Sequence, residues 1–365
     1  MAEESAPVQF GAVGGHASSM FYGAAARDGR STLQKKTTAW EVMYYLAMEL
    51  ATEEVFLSRP HTEGDEARTK FVHAAGQLAS FAPALFSIRF PDKYVPKSEA
   101  LRTHLEQADE WVVVEAGAPA RQSILAPLFH ELYDGAEQLK GFDDVYDTSL
   151  WGIGLVDETS GMERPCVMDV KIGYIRHSPL TPEEKVARMM KKEHNSLMRH
   201  TALRICGCQR YTETEAGTAC ERFGKNIGYA VSTVTELSTC LKVFLSVGQP
   251  LAEATEDGQV KFRPEVVDRI SDVERAQMQQ RICAVRADLR ALLNFVENTP
   301  DGVFMMQHVA FVSASVLLLY DAAASPATAR LCFIDFARST WRKFNFNEQA
   351  VGFVQGLKNL DTYLT

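Results

Sequence analysis

Residues 165–173, PCVMDVKIG, place a carboxylate and an ammonium group two positions apart, at Asp169 and Lys171, in an apolar run that ends at Gly173. Successive residues of a strand point to opposite faces, so the two charged side chains share one face and the apolar residues take the other. Burying charges costs desolvation free energy unless they meet a ligand or a counter-charge. The pattern therefore predicts a strand whose polar face forms either a ligand site or a plain salt bridge.

A basic helix is predicted directly after this strand. Residues 181–184 form a helix start with an N-cap threonine, a first-turn proline and a capping-box glutamate. Lys185, Arg188 and Lys192 then fall on one side of the helix. Residues 164–210 carry ten lysines and arginines against four acidic residues, in a chain of net charge −9. A solvated basic face is the ordinary alternative, but the neighbouring Asp-x-Lys strand favours a pocket for an anionic ligand.

Further charged residues extend the candidate site. Asp335, in CFIDFAR, follows three apolar residues at the predicted end of a strand. A carboxylate there suits Mg²⁺ bound against nucleotide phosphates, or else caps the next turn. Lys35 or Lys36 lies on a predicted strand ahead of Glu41 on a predicted helix, and such a lysine–glutamate pair is one way that kinases hold ATP phosphates. The chain has neither a GxxxxGK[ST] loop nor an HRDxxxxN motif, which argues against P-loop and protein-kinase chemistry.

The composition is that of an ordinary globular protein, with 365 residues, 46% hydrophobic and 23% charged. The net charge of −9 argues against binding nucleic acid or an anionic membrane, and the sequence predicts no oligomeric state. Seven cysteines without a CxxC pair favour reduced thiols over disulfides or a zinc site. The first residues lack signal-peptide features and the longest apolar run is too short to span a bilayer, so we expect a soluble protein of the cytosol or nucleus.

Strand and helix patterns alternate along the chain. Strands are predicted over 110–116, 165–173, 203–211, 309–321 and 329–338, and helices over 39–50, 260–297 and 347–364. This order predicts an α+β fold in two lobes. The N-terminal lobe is expected over 1–116 and the C-terminal lobe over 117–365, with an insertion over 117–163 and a helical segment over 174–202.

Several stretches together resemble the inositol polyphosphate kinase family. PCVMDVKIG is similar to the family's PxxxDxKxG motif. Residues 184–211 resemble the E-K-x-A-R-x-M-x-K and R-[IV]-C-G-x-Q-x-Y stretch of its inositol hexakisphosphate kinase branch. VGGHASSM at 13–20, FVSASVLLLYD at 311–321 and IDFARSTWRKF at 334–344 resemble further stretches of that branch. The resemblance covers both ends and the middle of the chain.

The resemblance implies a two-lobed, ATP-binding fold like those of ATP-grasp enzymes and protein kinases, with an added helical inositide-binding segment. It implies that Asp169 holds the ATP ribose, that Lys171 lies between the γ-phosphate and the inositide, and that Asp335 ligates Mg²⁺. These three are thus the catalytic candidates. It also implies that Lys35 contacts ATP phosphates and that Glu115 belongs to the hinge whose backbone binds adenine.

The resemblance further implies that Lys185, Arg188 and Lys192 bind inositol phosphates. The implied reaction is ATP- and Mg²⁺-dependent phosphorylation of inositol hexakisphosphate to a diphosphoinositol pentakisphosphate. The basic helix favours this highly charged acceptor over the tris- and tetrakisphosphates of a multikinase, which remains the alternative. A catalytically silent inositide-binding scaffold is a second alternative, although a pure binder does not need Asp335. Arg338 stands where the branch has histidine.

Overall fold

Two five-stranded antiparallel sheets organise the chain in the computed structural model. The model describes residues 20–53, 66–92, 94–106, 110–119, 121–138, 151–177, 181–193, 196–214, 217–248, 250–254, 260–341 and 347–365. The VGGHASSM stretch lies outside these residues except for Met20. The predicted α+β fold in two lobes is confirmed, since each sheet has its own set of helices.

The first sheet has the strand order β1–β2–β5–β3–β4. Its strands are β1 (Met20–Tyr22), β2 (Thr32–Thr37), β3 (Leu85–Arg89), β4 (Val112–Val113) and β5 (Trp151–Val156). Its helices are α1 (Ala39–Leu50), α2 (Glu66–Leu78), α3 (Glu99–Leu105) and α4 (Arg121–Gln138). The predicted helix over 39–50 is confirmed as α1, which starts where the Thr38 side chain accepts a hydrogen bond from the Glu41 N–H. All but one residue of α1 are buried, and the helix packs against α2 and α4.

This first lobe extends further along the chain than the sequence predicted. Strand β5 comes from within 117–163, yet it pairs with both β2 and β3 in the middle of the sheet. The lobe therefore continues to Val156, and the predicted boundary at residue 116 is wrong. Glycine made the segment resemble an insertion, but Gly154 lies in the strand because the Ser87 side chain occupies the space that a Cβ would fill.

The second sheet has the strand order β13–β12–β6–β7–β8. Its strands are β6 (Pro165–Ile172), β7 (Leu203–Thr214), β8 (Gly217–Phe223), β12 (Ser315–Asp321) and β13 (Arg330–Ile334). Strand β6, which carries the Asp-x-Lys pair, is the central strand, with Asp169 opposite Leu317 and Lys171 opposite Ser315. The predicted strand at PCVMDVKIG and the predicted C-terminal strand pair are both confirmed.

The remaining elements follow β5 in the chain, and one of them, the helix Pro300–His308, packs against α2 of the first lobe. Helices are α5 (Glu183–Glu193), α6 (Met198–Thr201), α7 (Asn226–Ala230), α8 (Val234–Phe244), α9 (Asp272–Asn298), α10 (Pro300–His308), α11 (Glu348–Val351) and α12 (Phe353–Tyr363). Two short ladders join β9 (Ala252–Ala254) to β10 (Val260–Phe262) and β11 (Val309–Ala310) to β14 (Thr340–Trp341). The predicted helix over 260–297 begins only at Asp272, where Ser271 and Glu274 form a capping box. In the part of the chain that is described, no helix has the length and apolar character needed to cross a membrane.

Aromatic rings from both lobes pack against one another near the candidate site. The Trp341 ring of β14 contacts rings of the first lobe at centroid distances of 5.6 Å to Trp40, 5.2 Å to Phe71 and 5.4 Å to Tyr133. Edge-to-face pairs at such distances stabilise a buried interface. The start of α1 is thereby held against the segment that follows β13.

Candidate active site

A cavity of about 290 Å³ lies between the two sheets. Its walls come from β1, β2 and β5 of the first sheet and from β6, β7, β8, β12 and β13 of the second. The connection from β5 to β6, residues 157–164, contributes one end of the lining. The charged and amide side chains of the lining belong to Lys35, Asp157, Glu158, Asp169, Gln209, Arg222 and Asp335. A concave site with a few polar groups among apolar walls is typical of a small-molecule pocket.

Asp335 is held between two lysines, one from each lobe. Its Oδ1 accepts a hydrogen bond from Lys35 Nζ at 3.0 Å, and its Oδ2 accepts one from Lys171 Nζ at 2.5 Å. Asp335 follows β13 directly and has a backbone φ of +67°, in the left-handed region that non-glycine residues rarely adopt. Such strain persists where the surrounding contacts over-determine the conformation, often at functional sites. The two lysines supply contacts of this kind.

Glu41 fixes Lys35 from the other side. Its carboxylate is fully buried in the first turn of α1 and lies 2.8 Å from Lys35 Nζ. It also accepts hydrogen bonds from the Phe336 N–H at 3.1 Å and from the Thr37 hydroxyl. The Lys36 side chain is exposed instead. Of the two lysines that the sequence left open, the structure therefore brings Lys35 to the site.

The charges of this cluster stabilise one another. Burial by itself would raise the pKa of Asp335, but the attraction of Lys171 and Lys35 outweighs it and holds that pKa below its ordinary value. Burial likewise opposes the charged forms of both lysines. Glu41 and Asp335 nevertheless raise the pKa of Lys35, and Asp335 and Asp169 raise that of Lys171. Asp335 and both lysines are therefore charged at neutral pH.

Asp169 lines the cavity and has one buried oxygen without a hydrogen-bond partner among the described residues. This oxygen is Oδ1, and the residue is 5% exposed. Burial raises the pKa of Asp169, Lys171 lowers it, and Asp335 raises it further. A buried acceptor of this kind is costly unless a ligand satisfies it. The Asp335 carboxylate fits a divalent cation such as Mg²⁺, which is commonly bound by one or two carboxylates plus substrate phosphates.

The basic helix α5 meets the loop that follows Asp335. Lys185 is half-buried, and its pKa is lowered by burial and by the neighbouring Arg338 and Arg188. Arg338 Nη1 donates a hydrogen bond to the Arg176 carbonyl at 2.6 Å. Lys192 lies within α5, but its side chain is outside the described residues. The structure thus gathers positive charge from α5 and from the loop after β13.

Glu115 lies outside the cavity, so its assignment to the hinge is wrong. It follows β4, an edge strand, and its carboxylate accepts a hydrogen bond from the Arg27 N–H at 3.1 Å. The chain passes between the lobes at residues 157–164, because β5 still belongs to the first sheet. Glu158 lines the cavity in this connection and lies 2.8 Å from Arg330. The available signal was the apolar run WGIGLV shortly before PCVMDVKIG.

Comparison with known proteins identifies the family. The model of the inositol polyphosphate kinase family matches residues 152–365. Inositol hexakisphosphate kinase 3 of Mus musculus is 27% identical over 227 residues, which is 56% of this chain and 48% of that protein. An uncharacterised inositol polyphosphate kinase of Schizosaccharomyces pombe is 44% identical over 57 residues, 16% of this chain and 6% of that protein. The chain spans less than half the length of these curated relatives.

Two solved structures of inositol phosphate multikinases are also similar. Ipk2 of S. cerevisiae, in complex with ADP and Mn²⁺, has 17% sequence identity and a TM-score of 0.42, covering 59% of this chain and 83% of that chain. A second multikinase structure has 19% identity and a TM-score of 0.40, covering 57% of this chain and 83% of that chain. The family model matches residues 152–365, which is more than half of the chain. This range includes β6, which carries Asp169 and Lys171, and β13, which Asp335 follows. The chain belongs to the inositol polyphosphate kinase family.

Proposed function

We propose that the protein is an ATP-dependent inositol phosphate kinase whose acceptor is inositol hexakisphosphate and whose product is a diphosphoinositol pentakisphosphate. The observation that carries the proposal is the Asp335 carboxylate, held between Lys35 and Lys171. Lys35 lines the cavity between the sheets, and Lys185 of the basic helix α5 lies close to Arg338 in the loop after Asp335. Nucleotide and acceptor would therefore meet at this carboxylate.

Three charged residues of the cavity are proposed to hold the nucleotide and its cation. Lys35 is charged, is fixed by Glu41, and reaches the end of the cavity, where it would contact ATP phosphates. The buried Oδ1 of Asp169 would accept a hydrogen bond from the ribose. Asp335 would hold Mg²⁺, which when bound neutralises charge on the transferred phosphoryl group. In-line phosphoryl transfer depends mainly on such positioning and charge neutralisation.

The acceptor side supports a highly phosphorylated inositol. The basic cluster consists of Lys171, Lys185, Arg188 and Arg338. Its members come from β6, α5 and the loop after β13, so they would surround an anion rather than line one exposed helix face. Each further phosphate on the ring adds partners for these cations. A phosphate acceptor is already a nucleophile at pH 7, so forming a diphosphate requires no general base.

Phosphorus NMR with Mg-ATP and inositol hexakisphosphate tests the proposal. We expect new diphosphate signals from the inositol with the wild-type protein and none with Asp335→Asn. New monoester signals only with inositol tris- or tetrakisphosphates would replace the proposal by a multikinase. Absence of transfer with every acceptor, together with tight binding of the inositides, would leave a silent scaffold and refute kinase activity.

A further inference from the structure

The outermost strands of the two sheets both contribute to one side of the cavity. Strand β1 is the edge of the first sheet and β8 is the edge of the second. Tyr22 of β1 and Arg222 of β8 line the cavity, and so does Tyr211 of the neighbouring strand β7. The sequence motifs assign no role to these three side chains, and the proposed contacts to phosphate, ribose and cation do not involve them.

In the first sheet, the register places Tyr22 away from the phosphate end. Lys35 marks that end and pairs with Met20. Tyr22 pairs with Leu33, which lies two residues nearer to the connection between the lobes. Two strand residues span about 6.6 Å, which is comparable to the width of a nucleobase or a ribose.

In the second sheet, the register places Arg222 at the same depth. Arg222 pairs with Gln209 on β7, and Gln209 pairs with Val167 on β6. Val167 precedes Asp169 by two residues on the side of the connection. Arg222 is therefore displaced from the carboxylate in the same direction as Tyr22 is displaced from Lys35.

The two side chains are neighbours, and both remain open to solvent. Tyr22 is 40% exposed, and Arg222 is also exposed. Burial and Asp157 raise the pKa of Tyr22, whereas Arg222 lowers it, as expected for a guanidinium close to the phenol. Aliphatic side chains of Leu33, Val167 and Leu317 line the cavity behind them. Apolar side chains, an aromatic ring and a planar cation thus line the same cavity.

We propose that Tyr22 and Arg222 form a clamp across the open side of the cavity and position the nucleoside part of the bound nucleotide. The inference rests on the proposed function, which makes this cavity the nucleotide site. An aromatic ring and a guanidinium both stack on the faces of bases. Every base has such a face, so the clamp would hold the nucleoside while Asp157, Glu158 and Thr159 line the cavity at its edge.

Steady-state kinetics and ADP calorimetry on the whole chain test the clamp. Tyr22→Ala and Arg222→Ala should each raise the KM for ATP and the dissociation constant of ADP about tenfold, which corresponds to about 1.4 kcal/mol, with kcat unchanged. Tyr22→Phe keeps the ring and should behave as wild type. Arg222→Lys keeps the charge without the planar group, and should be as impaired as Arg222→Ala. Tyr229→Ala is the matched control, since this exposed tyrosine lies on α7 outside the cavity lining.

The outcomes separate the clamp from the proposed function. If the wild-type protein does not bind ADP, the proposed function fails. If the wild-type protein binds ADP and both alanine variants bind ADP with wild-type affinity, the nucleotide site stands and the clamp is refuted. If Arg222→Lys restores wild-type affinity, Arg222 makes a charge contact to phosphate, and its placement beside the nucleoside is wrong. A change in kcat with unchanged ADP affinity also contradicts a positioning role for Tyr22 and Arg222.

Discussion

Replacing Glu41 by glutamine removes one charge from the centre of the site with little change in shape. The Glu41 carboxylate accepts hydrogen bonds from Lys35 Nζ and the Phe336 N–H through Oε1, and from the Thr37 hydroxyl through Oε2. In Glu41→Gln the amide oxygen can take the first position. The amide nitrogen then faces Thr37, whose hydroxyl can rotate to accept its hydrogen bond. The variant therefore retains the contacts and loses the negative charge beside Lys35.

The lost charge sets the size of the effect. Hydrogen bonds to charged groups contribute about 1.5–3 kcal/mol and neutral ones about 0.5–1.5 kcal/mol. Weakening the bonds that Glu41 accepts should therefore lower the free energy of unfolding of Glu41→Gln by about 2 kcal/mol. Lys35 keeps one anionic partner, Asp335 at 3.0 Å, which limits the loss. Glu41→Ala also leaves Lys35 and the Phe336 N–H without this acceptor, and should cost about 4 kcal/mol, as expected for one half of a buried ion pair. Both variants should also lower kcat, because Glu41 fixes Lys35 and the backbone beside Asp335.

Urea unfolding followed by fluorescence measures the effect. A loss of 2 kcal/mol lowers the unfolding midpoint by about 0.7 M if the slope is about 3 kcal/mol per M. Glu66→Gln is the matched control, because Glu66 is exposed in the first turn of α2 and pairs with exposed Lys70. This control should leave the midpoint unchanged. A Glu41→Gln variant with wild-type midpoint and wild-type kcat would show that Glu41 does not hold the site together.

Two further predictions concern the second lobe. Gly173→Ala should strongly destabilise the protein in thermal unfolding, since Gly173 has φ +104° and an added Cβ would lie 2.7 Å from the Val351 carbonyl oxygen. Gly161→Ala is the control and should lower the unfolding temperature less, because Gly161 has φ +82° but nothing lies within 4 Å of an added Cβ. Asp361→Asn should destabilise by about 0.5 kcal/mol at pH 7, because the hydrogen bond from Arg286 lowers the pKa of Asp361. Because the pKa of Asp361 is lower in the folded protein, its ion pair stabilises the protein fully above the ordinary Asp pKa of about 3.9. This stabilisation disappears as the pH falls below the pKa of Asp361 in the folded protein. The unfolding curves of variant and wild type should therefore converge in acid.

Local patterns predicted the elements that have strong local signals. Helix α1 has the predicted bounds because a threonine cap precedes a long run of apolar residues. Strand β5 was missed because Gly152 and Gly154 mimic a loop, whereas in the sheet they make room for the side chains of Trp111 and Ser87. That requirement is set by packing between distant segments, and a single sequence does not display it.

Some residues of the candidate site could be predicted from local sequence patterns and others could not. Asp169, Lys171 and Asp335 were found from charged residues in apolar strands, and the structure brings them together with Lys35. Glu115 was misplaced because the hinge position depends on which strand is last in the first sheet. Tyr22 and Arg222, which line the cavity, were missed because no local pattern distinguishes them from surface residues. Their positions follow from sheet pairing.

Transfer of the ATP γ-phosphate to inositol hexakisphosphate by the wild-type protein and by Asp335→Asn tests the central claim most directly. ADP and inositide binding are measured on the same samples. The account predicts transfer by the wild type and a loss of at least about 100-fold in kcat for the variant, as for removal of one preorganised electrostatic group, with inositide binding retained. A variant that transfers phosphate at the wild-type rate would contradict the placement of the reaction at Asp335.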